Sequence, residues 1–273
     1  MRLSRTQRFH VLRTLQIGWP IMLGQLGHML TGLADSAMIG QVDAVQLAAA
    51  SLGHNAWVIF FVFGLGISMG LTPHVAAADG RRDRQENAQL LRQGLWVNTI
   101  IGILLVGLML SAYPFLDQLG QPENVVAYAR PYFLIIAASL LPLMLFQHYR
   151  QFAEGLSYTK VAMYISIGGN LLNVGLNYVL IFGKLGFPRL ELEGAGYATL
   201  IARCVMALLM FWYVRKGQPF QLFWQIRSGI RMQLRYIRQI LEVGVPIGFQ
   251  YIFEAGAFVF SALMIGWLGA LPL

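Results

Sequence analysis

Asp35 and Glu254 stand inside long apolar runs, where a carboxylate is costly and calls for a reason. Held in a low-dielectric cavity, such a group can bind and release a proton or an alkali cation. Gly32, Thr31 and His28 precede Asp35 by three, four and seven residues, with Gln25 further upstream, so several of them share its helical face. The alternative is a carboxylate near the outer surface, reachable by water and inert. Pro20, earlier in the same run, removes a backbone hydrogen bond and permits a kink. In another run Ser166, Asn170, Asn173 and Asn177 follow one another at intervals of 4, 3 and 4, which is one face of a helix. Their carbonyls suit a cation and their amides suit a carboxylate. Asn is a poor helix former, so propensity does not explain three of them in one span. Hydrogen bonding between helices is the other use open to them, and Gly168, Gly169 and Gly175 mark close packing there. Glu254 has Gln250 one turn before it and Ser261 two turns after, near the middle of its run. Arg203 is the basic residue inside a run and needs a partner; Asp35, Glu254 and a snorkel to the interface all remain open.

Other chemistries find little support. His28, His54, His74 and His148 are scattered without metal-ligand spacing and read as polar packing. Cys204 is the one cysteine, so neither an internal disulfide nor a cysteine metal site can form. No Walker A loop is present, which removes the case for direct ATP drive. Neither a metal cluster nor a Ser–His dyad converges at one depth, so no enzyme is expected, and no cofactor beyond a coupling Na+ or H+. The net charge of +8 is dispersed between apolar runs, not gathered in a patch with interleaved aromatics, so nucleic acid is not an expected partner.

The elements that must position these groups follow from composition. The 273 residues are 57% hydrophobic and 12% charged, with mean hydropathy +0.58. A soluble domain carries about 25% charged residues, so this chain lacks the polar surface to face water. The apolar runs predict an all-α integral membrane protein with helices at about 14–40, 46–78, 93–116, 125–153, 160–182, 194–213 and 240–268. The second and fourth exceed a bilayer's thickness and are expected to tilt or protrude. Gly64, Gly66, Gly70 and the Phe60–Phe63 cluster on the second fit close packing and an apolar path. Lys and Arg divide unevenly between the two sides. The N-terminus, the 79–92 loop, the turn with Arg150 and Lys160, and the 214–239 loop hold most of them; the other side has Arg130, Lys184 and Arg189. The positive-inside rule puts the N-terminus in the cytoplasm. Residues 1–13 are polar and basic, and the following run is too long for a signal peptide core.

Two longer-range patterns organise the chain. Residues 223–240, FWQIRSGIRMQLRYIRQI, place Arg227, Arg231, Arg235 and Arg238 at helical spacing beside Ile226, Ile230, Leu234 and Ile237. They predict an amphipathic helix on the cytoplasmic leaflet, with a solvated linker helix as the alternative. Gly18-Trp19-Pro20-Ile21 and Met38-Ile39-Gly40 of the first helix recur, at one common interval, as Gly244-Val245-Pro246-Ile247 and Met264-Ile265-Gly266 of the seventh. Helix seven thus restarts the pattern of helix one as a parallel repeat, and a sequence that stops at Leu273 reads as truncated.

Four segments resemble the multidrug and toxic compound extrusion (MATE) family, in its NorM-like branch. They are residues 33–40 (LADSAMIG), 73–80 (PHVAAADG), 173–183 (NVGLNYVLIFG) and 192–199 (LEGAGYAT); Phe253-Glu254 in the seventh helix joins them. The resemblance runs along essentially the whole chain. It implies a cytoplasmic N-terminus (1–13), a six-helix lobe (14–213), a linker (214–239) and the first helix of a second lobe (240–273). It also implies a monomeric secondary antiporter of the bacterial inner membrane, exporting bulky, mostly cationic drugs in exchange for Na+ or H+, with lipid as its other partner. Asp35 falls at the family's first-helix coupling carboxylate, Pro20 at its kink proline, Asn173 and Asn177 at the fifth-helix partners, and Glu254 at the cation-site glutamate. Gln25, His28, Thr31, Asn170, Arg203 and Gln250 remain as possible polar lining. One relative group has Asp at the position of Asn177, so Asn weakens a two-carboxylate proton site here. A further acidic residue of the family's tenth helix would lie past Leu273. The competing functions are a flippase of lipid-linked oligosaccharides, which a strongly basic cavity would favour, and a non-functional transporter fragment.

Overall fold

Proline and glycine decide where the long apolar runs break. Pro73 has no N–H for the carbonyl of Met69, and Pro142 has none for Ala138. Those are the last residues of α2 (Ala44–Met69) and α5 (Glu123–Ala138), and each run resumes at once as α3 (Leu71–Gly80) and α6 (Leu140–Gly155). The molecule is a computed structural model that describes residues 5–226 and 232–267. Its other elements are α1 (Arg5–Gly40), α4 (Arg84–Ser111), a 3-10 helix (Tyr113–Leu119), α7 (Thr159–Phe182), α8 (Glu191–Lys216), α9 (Gln218–Gln225) and α10 (Leu234–Trp267), with no strand among the described residues.

Among the described residues, five passages are long and apolar enough to cross a membrane: Ala44–Gly80, Arg84–Ser111, Glu123–Gly155, Thr159–Phe182 and Glu191–Lys216. The 36 residues of α1 and the 34 of α10 flank them. The chain is thus an all-α, multi-pass membrane protein. Large apolar side chains point outward from several passages, Leu171 at 69% exposure and Leu208 at 64% among them, as hydrocarbon allows.

Several helices extend beyond the apolar limits read from sequence. α4 starts at Arg84 rather than near 93, because the Asp83 carboxylate accepts from Glu86 N at 2.9 Å and caps the first turn. Arg81 and Glu86 pair beside it. The polar first turns of α4 bury Asn87, Gln89 and Gln93 inside the lobe, so hydropathy alone hid them. At the opposite end, the Gln46 side chain donates to Glu191 and accepts from Leu192 N (3.1 Å), fastening the start of α8 to α2.

The expected amphipathic helix over 223–240 is not what forms. α9 ends at Gln225, Ile226 is extended, and α10 begins at Leu234, so no single helix covers 223–240; Arg227, Ile230 and Arg231 lie outside the described residues. The apolar face of α9 finds a protein partner. Phe220 and Phe223 are buried against Phe152, Tyr158 and Tyr213. Arg92 Nη2 donates to the carbonyls of Trp224 (3.3 Å) and Ile226 (2.7 Å), which holds the end of α9 on α4.

Helix α10 docks on α2 along a glycine seam. A Cβ on Gly66 would stand 2.3 Å from Gly248 Cα, one on Gly70 2.4 Å from the Ile240 carbonyl oxygen, and one on Gly244 2.6 Å from that of Ile67. His74 Nε2 donates to Gln239 O at 3.0 Å on the same side. Away from this seam, α7 packs between α1 and α8, and α8 packs on α5 and α6. That arrangement brings three polar helix faces to one place.

Candidate ion and ligand site

Asp35 lies half-buried near the end of α1, facing α7. Asn177 Nδ2 donates to Asp35 Oδ1 at 2.5 Å. Asn173, one turn earlier, satisfies both ends of its amide when the nitrogen donates to Asp35 Oδ1 (3.0 Å) and the oxygen accepts from Thr199 Oγ1 and Thr199 N (both 3.2 Å). Asn177 and Asn173 are 0% and 4% exposed. The amide face of α7 therefore clamps one carboxylate oxygen, with α8 supplying the backing through Thr199. Asn177 Oδ1 is buried without a partner, a carbonyl left over beside the carboxylate.

Asp35, Asn173 and Thr199 also border a cavity of about 680 Å³, whose wall includes His28, Thr31, Asn170 and Arg203 as well. Its size suits a drug-sized molecule, for which pockets of roughly 300–1,000 Å³ are usual. Thr31 Oγ1 is spent on Gly27 O (2.9 Å). Asn170 Nδ2 is buried without a partner; it occupies the space above Gly27, where a Cβ would stand 2.8 Å from it. Arg203 brings a positive charge to the same cavity. Its Nη1 donates to Ser139 Oγ at 2.5 Å and its guanidinium lies 4.1 Å from the centre of the Trp57 ring. Trp57 stacks on Phe61 at 4.7 Å, and His54 and His28 lean on this aromatic pair at 5.6 and 6.0 Å.

Not every expected residue joins the site. Glu254 and Gln250 are exposed on α10 and do not line the cavity. The glycine seam turns α10 toward α2, so Glu254 shares no hollow with Asp35 in this chain, and Arg203 pairs with neither carboxylate within 4 Å. Gln25 is exposed, and Pro20 is buried inside an α1 that runs unbroken from Arg5 to Gly40. His148 packs in the core against Tyr149 and Gly94, and His74 ties α3 to α10. Among the described residues no group of three metal-ligating side chains occurs. Sequence reasoning missed Thr199, Ser139 and Trp57 as site residues. Thr199 and Arg203 are four apart on one face of α8, a signal that was there to read; Ser139 and Trp57 gave none, because they act only through Arg203.

The MatE family profile matches residues 20–179, more than half of the chain. The chain belongs to the MatE family. Similar MatE-type relatives are the "Probable multidrug resistance protein NorM" of Rhizobium meliloti, 31% identical over 97% of this chain and 56% of that one, and the "Multidrug resistance protein MdtK" of Yersinia pestis, 31% identical over 93% and 56%. The chain spans about half the length of the curated relatives it matches. Its fold matches an outward-facing multidrug resistance MATE transporter with a TM-score of 0.79 and 22% identity, covering 91% of this chain and 54% of that one. A MOP superfamily transporter from Pyrococcus furiosus, whose binding pocket is described as reversed in polarity, matches with a TM-score of 0.77 and 21% identity over 91% and 54%.

Proposed function

We propose that the protein is a multidrug exporter of the bacterial inner membrane, with its N-terminus in the cytoplasm, working by alternating access with Na+ or H+ as coupling ion and without catalysing a covalent reaction. In this reading residues 14–213 form one lobe and residues 240–273 begin a second, parallel one, joined by 214–239, and the drug enters as a bulky, mostly cationic molecule. The observation that carries it is Asp35, half-buried at a cavity of about 680 Å³ and held by two amides of α7. A proton or sodium ion arriving at the carboxylate competes with the Asn177 and Asn173 donors for the same oxygen. Neutralisation of the carboxylate weakens charge-assisted hydrogen bonds between α1 and α7. An ion that binds one arrangement of α1 and α7 better than another shifts their populations, which is the requirement for coupling. A cationic drug seeks the same carboxylate, so drug and ion displace each other.

The test is dye extrusion from proteoliposomes containing the protein, driven by an imposed proton gradient or, separately, a sodium gradient. Ethidium efflux is expected with one of the two gradients and is expected to vanish in Asp35→Asn. Gradient-driven efflux that survives that substitution at full rate removes Asp35 from the coupling role.

A further inference from the structure

Arg203 is a guanidinium at 8% exposure, inside a membrane passage, with no carboxylate within ion-pair distance among the described residues. A buried charge with no ion-pair partner in contact is expensive in hydrocarbon and marks a functional pathway. Two contacts fix the group without neutralising it. One face is covered by the Trp57 ring, and Nη1 is bonded to Ser139 Oγ. That hydroxyl has no freedom to turn: it donates to Ile136 O at 2.6 Å at the break between α5 and α6 and so presents a lone pair to Arg203. A guanidinium carries five N–H donors in one plane. With a face stacked and one donor spent, the rest lie along the edge of the plane, the direction in which a carboxylate is gripped by two parallel bonds. Arg203 borders the cavity that Asp35 also borders. Asp35 attracts it through space but forms no ion pair with it, since the carboxylate turns toward the amides of α7.

The cavity thus holds charges of both signs, the Asp35 carboxylate and the fixed Arg203 cation, with the Trp57–Phe61 stack beside the cation. We propose that Arg203 is a carboxylate-recognising subsite, so that the cavity takes amphiphilic zwitterions with the cationic end toward Asp35 and the carboxylate on Arg203. This rests on the cavity being the ligand chamber of an exporter. Ser139 and Trp57 are positioning residues: one aims the guanidinium and the other shields its face.

A matched pair of dyes tests it: rhodamine 110, a free acid, and rhodamine 123, its methyl ester, bound to the purified protein in detergent and followed by fluorescence polarisation. The wild type is expected to bind both. Arg203→Gln is expected to weaken the free acid about tenfold or more, the size of a lost charge-assisted bond, and to leave the ester within about twofold, which also certifies the fold. Arg203→Lys keeps the charge but not the planar fork, and is expected to fall between the two. If Arg203→Gln does not fold, a lysine variant indistinguishable from wild type for both dyes overturns the subsite. Equal losses for acid and ester overturn it as well, since they make Arg203 a packing residue. Wild type that binds the ester but not the acid overturns the subsite alone; wild type that binds neither overturns the ligand chamber and the subsite with it.

Discussion

Asp35 shows how a few polar atoms can store a conformational choice. One carboxylate oxygen receives both α7 amides, and Thr199 fixes the second of these through α8. Each bond to an ionised acceptor contributes about 1.5–3 kcal/mol when formed in a protected site. Asp35→Ala and Asn177→Ala are therefore expected to be non-additive, with a coupling energy of about 1.5–3 kcal/mol in a double-mutant cycle. Denaturant unfolding in detergent micelles measures it; additivity within experimental error means that the two side chains do not depend on each other. This part of the site was legible in sequence, because the Asn interval on α7 and the isolated Asp on α1 are both anomalies in an apolar span. Glu254 was an equal anomaly by the same reasoning, yet it is exposed on α10. Burial in an apolar run says that a residue is at membrane depth, and leaves open which way it turns.

Helix α10 is placed by absence of side chains. Four glycines, Gly66 on α2 and Gly70 at its C-terminal break with Gly244 and Gly248 on α10, let the two backbones approach to where a single Cβ meets main-chain atoms. Lipid offers no hydrophobic drive for helices to associate, so close van der Waals contact between small residues carries the packing. Gly66→Ala is expected to destabilise by about 1–3 kcal/mol through overpacking. Gly107→Ala, on the exposed face of α4 with nothing within 4 Å of its Cβ, is expected to be neutral or to stabilise by about 0.5–1 kcal/mol through helix propensity. Thermal unfolding of the two variants side by side checks the contrast, and equal midpoints refute the seam. The breaks at Gly70 and Ser139 have the same local origin, a proline whose missing N–H frees the carbonyl four residues earlier. The second of them sets Ser139 under Arg203. Hydropathy smooths such breaks away, which is why both runs read as single helices.

The orientation of the molecule follows from its charge. Arg81, Arg82, Arg84, Arg92, Arg215, Lys216, Arg235 and Arg238 all cluster at the end bearing the N-terminus, against Arg130, Lys184 and Arg189 at the other. With Cys204 replaced by Ser, Arg82→Cys is expected to resist a membrane-impermeant maleimide added to intact cells, and Lys184→Cys to react with it. The reverse pattern inverts the topology and places Asp35 near the cytoplasmic end of its helix instead of the outer one. Within that frame the lobe is an assembly of contacts between segments far apart in sequence: α1 on α7, α2 on α5 and α10, α6 on α8.

What the sequence determined by itself was the solvent, the long apolar helical runs, and the polar residues that need a reason to be where they are. Those depend on residue type and short-range spacing, and a bilayer enforces them, since every buried backbone group must be satisfied within its own helix. The tertiary structure decided the azimuth of each helix about its axis. That angle is set by which small residues permit contact and which polar groups meet, as with the α2–α10 glycines and the Asn177–Asp35 bond. It separated Asp35, which faces the cavity, from Glu254, which does not, and it gave Arg203 a stacked and aimed position that no spacing rule contains.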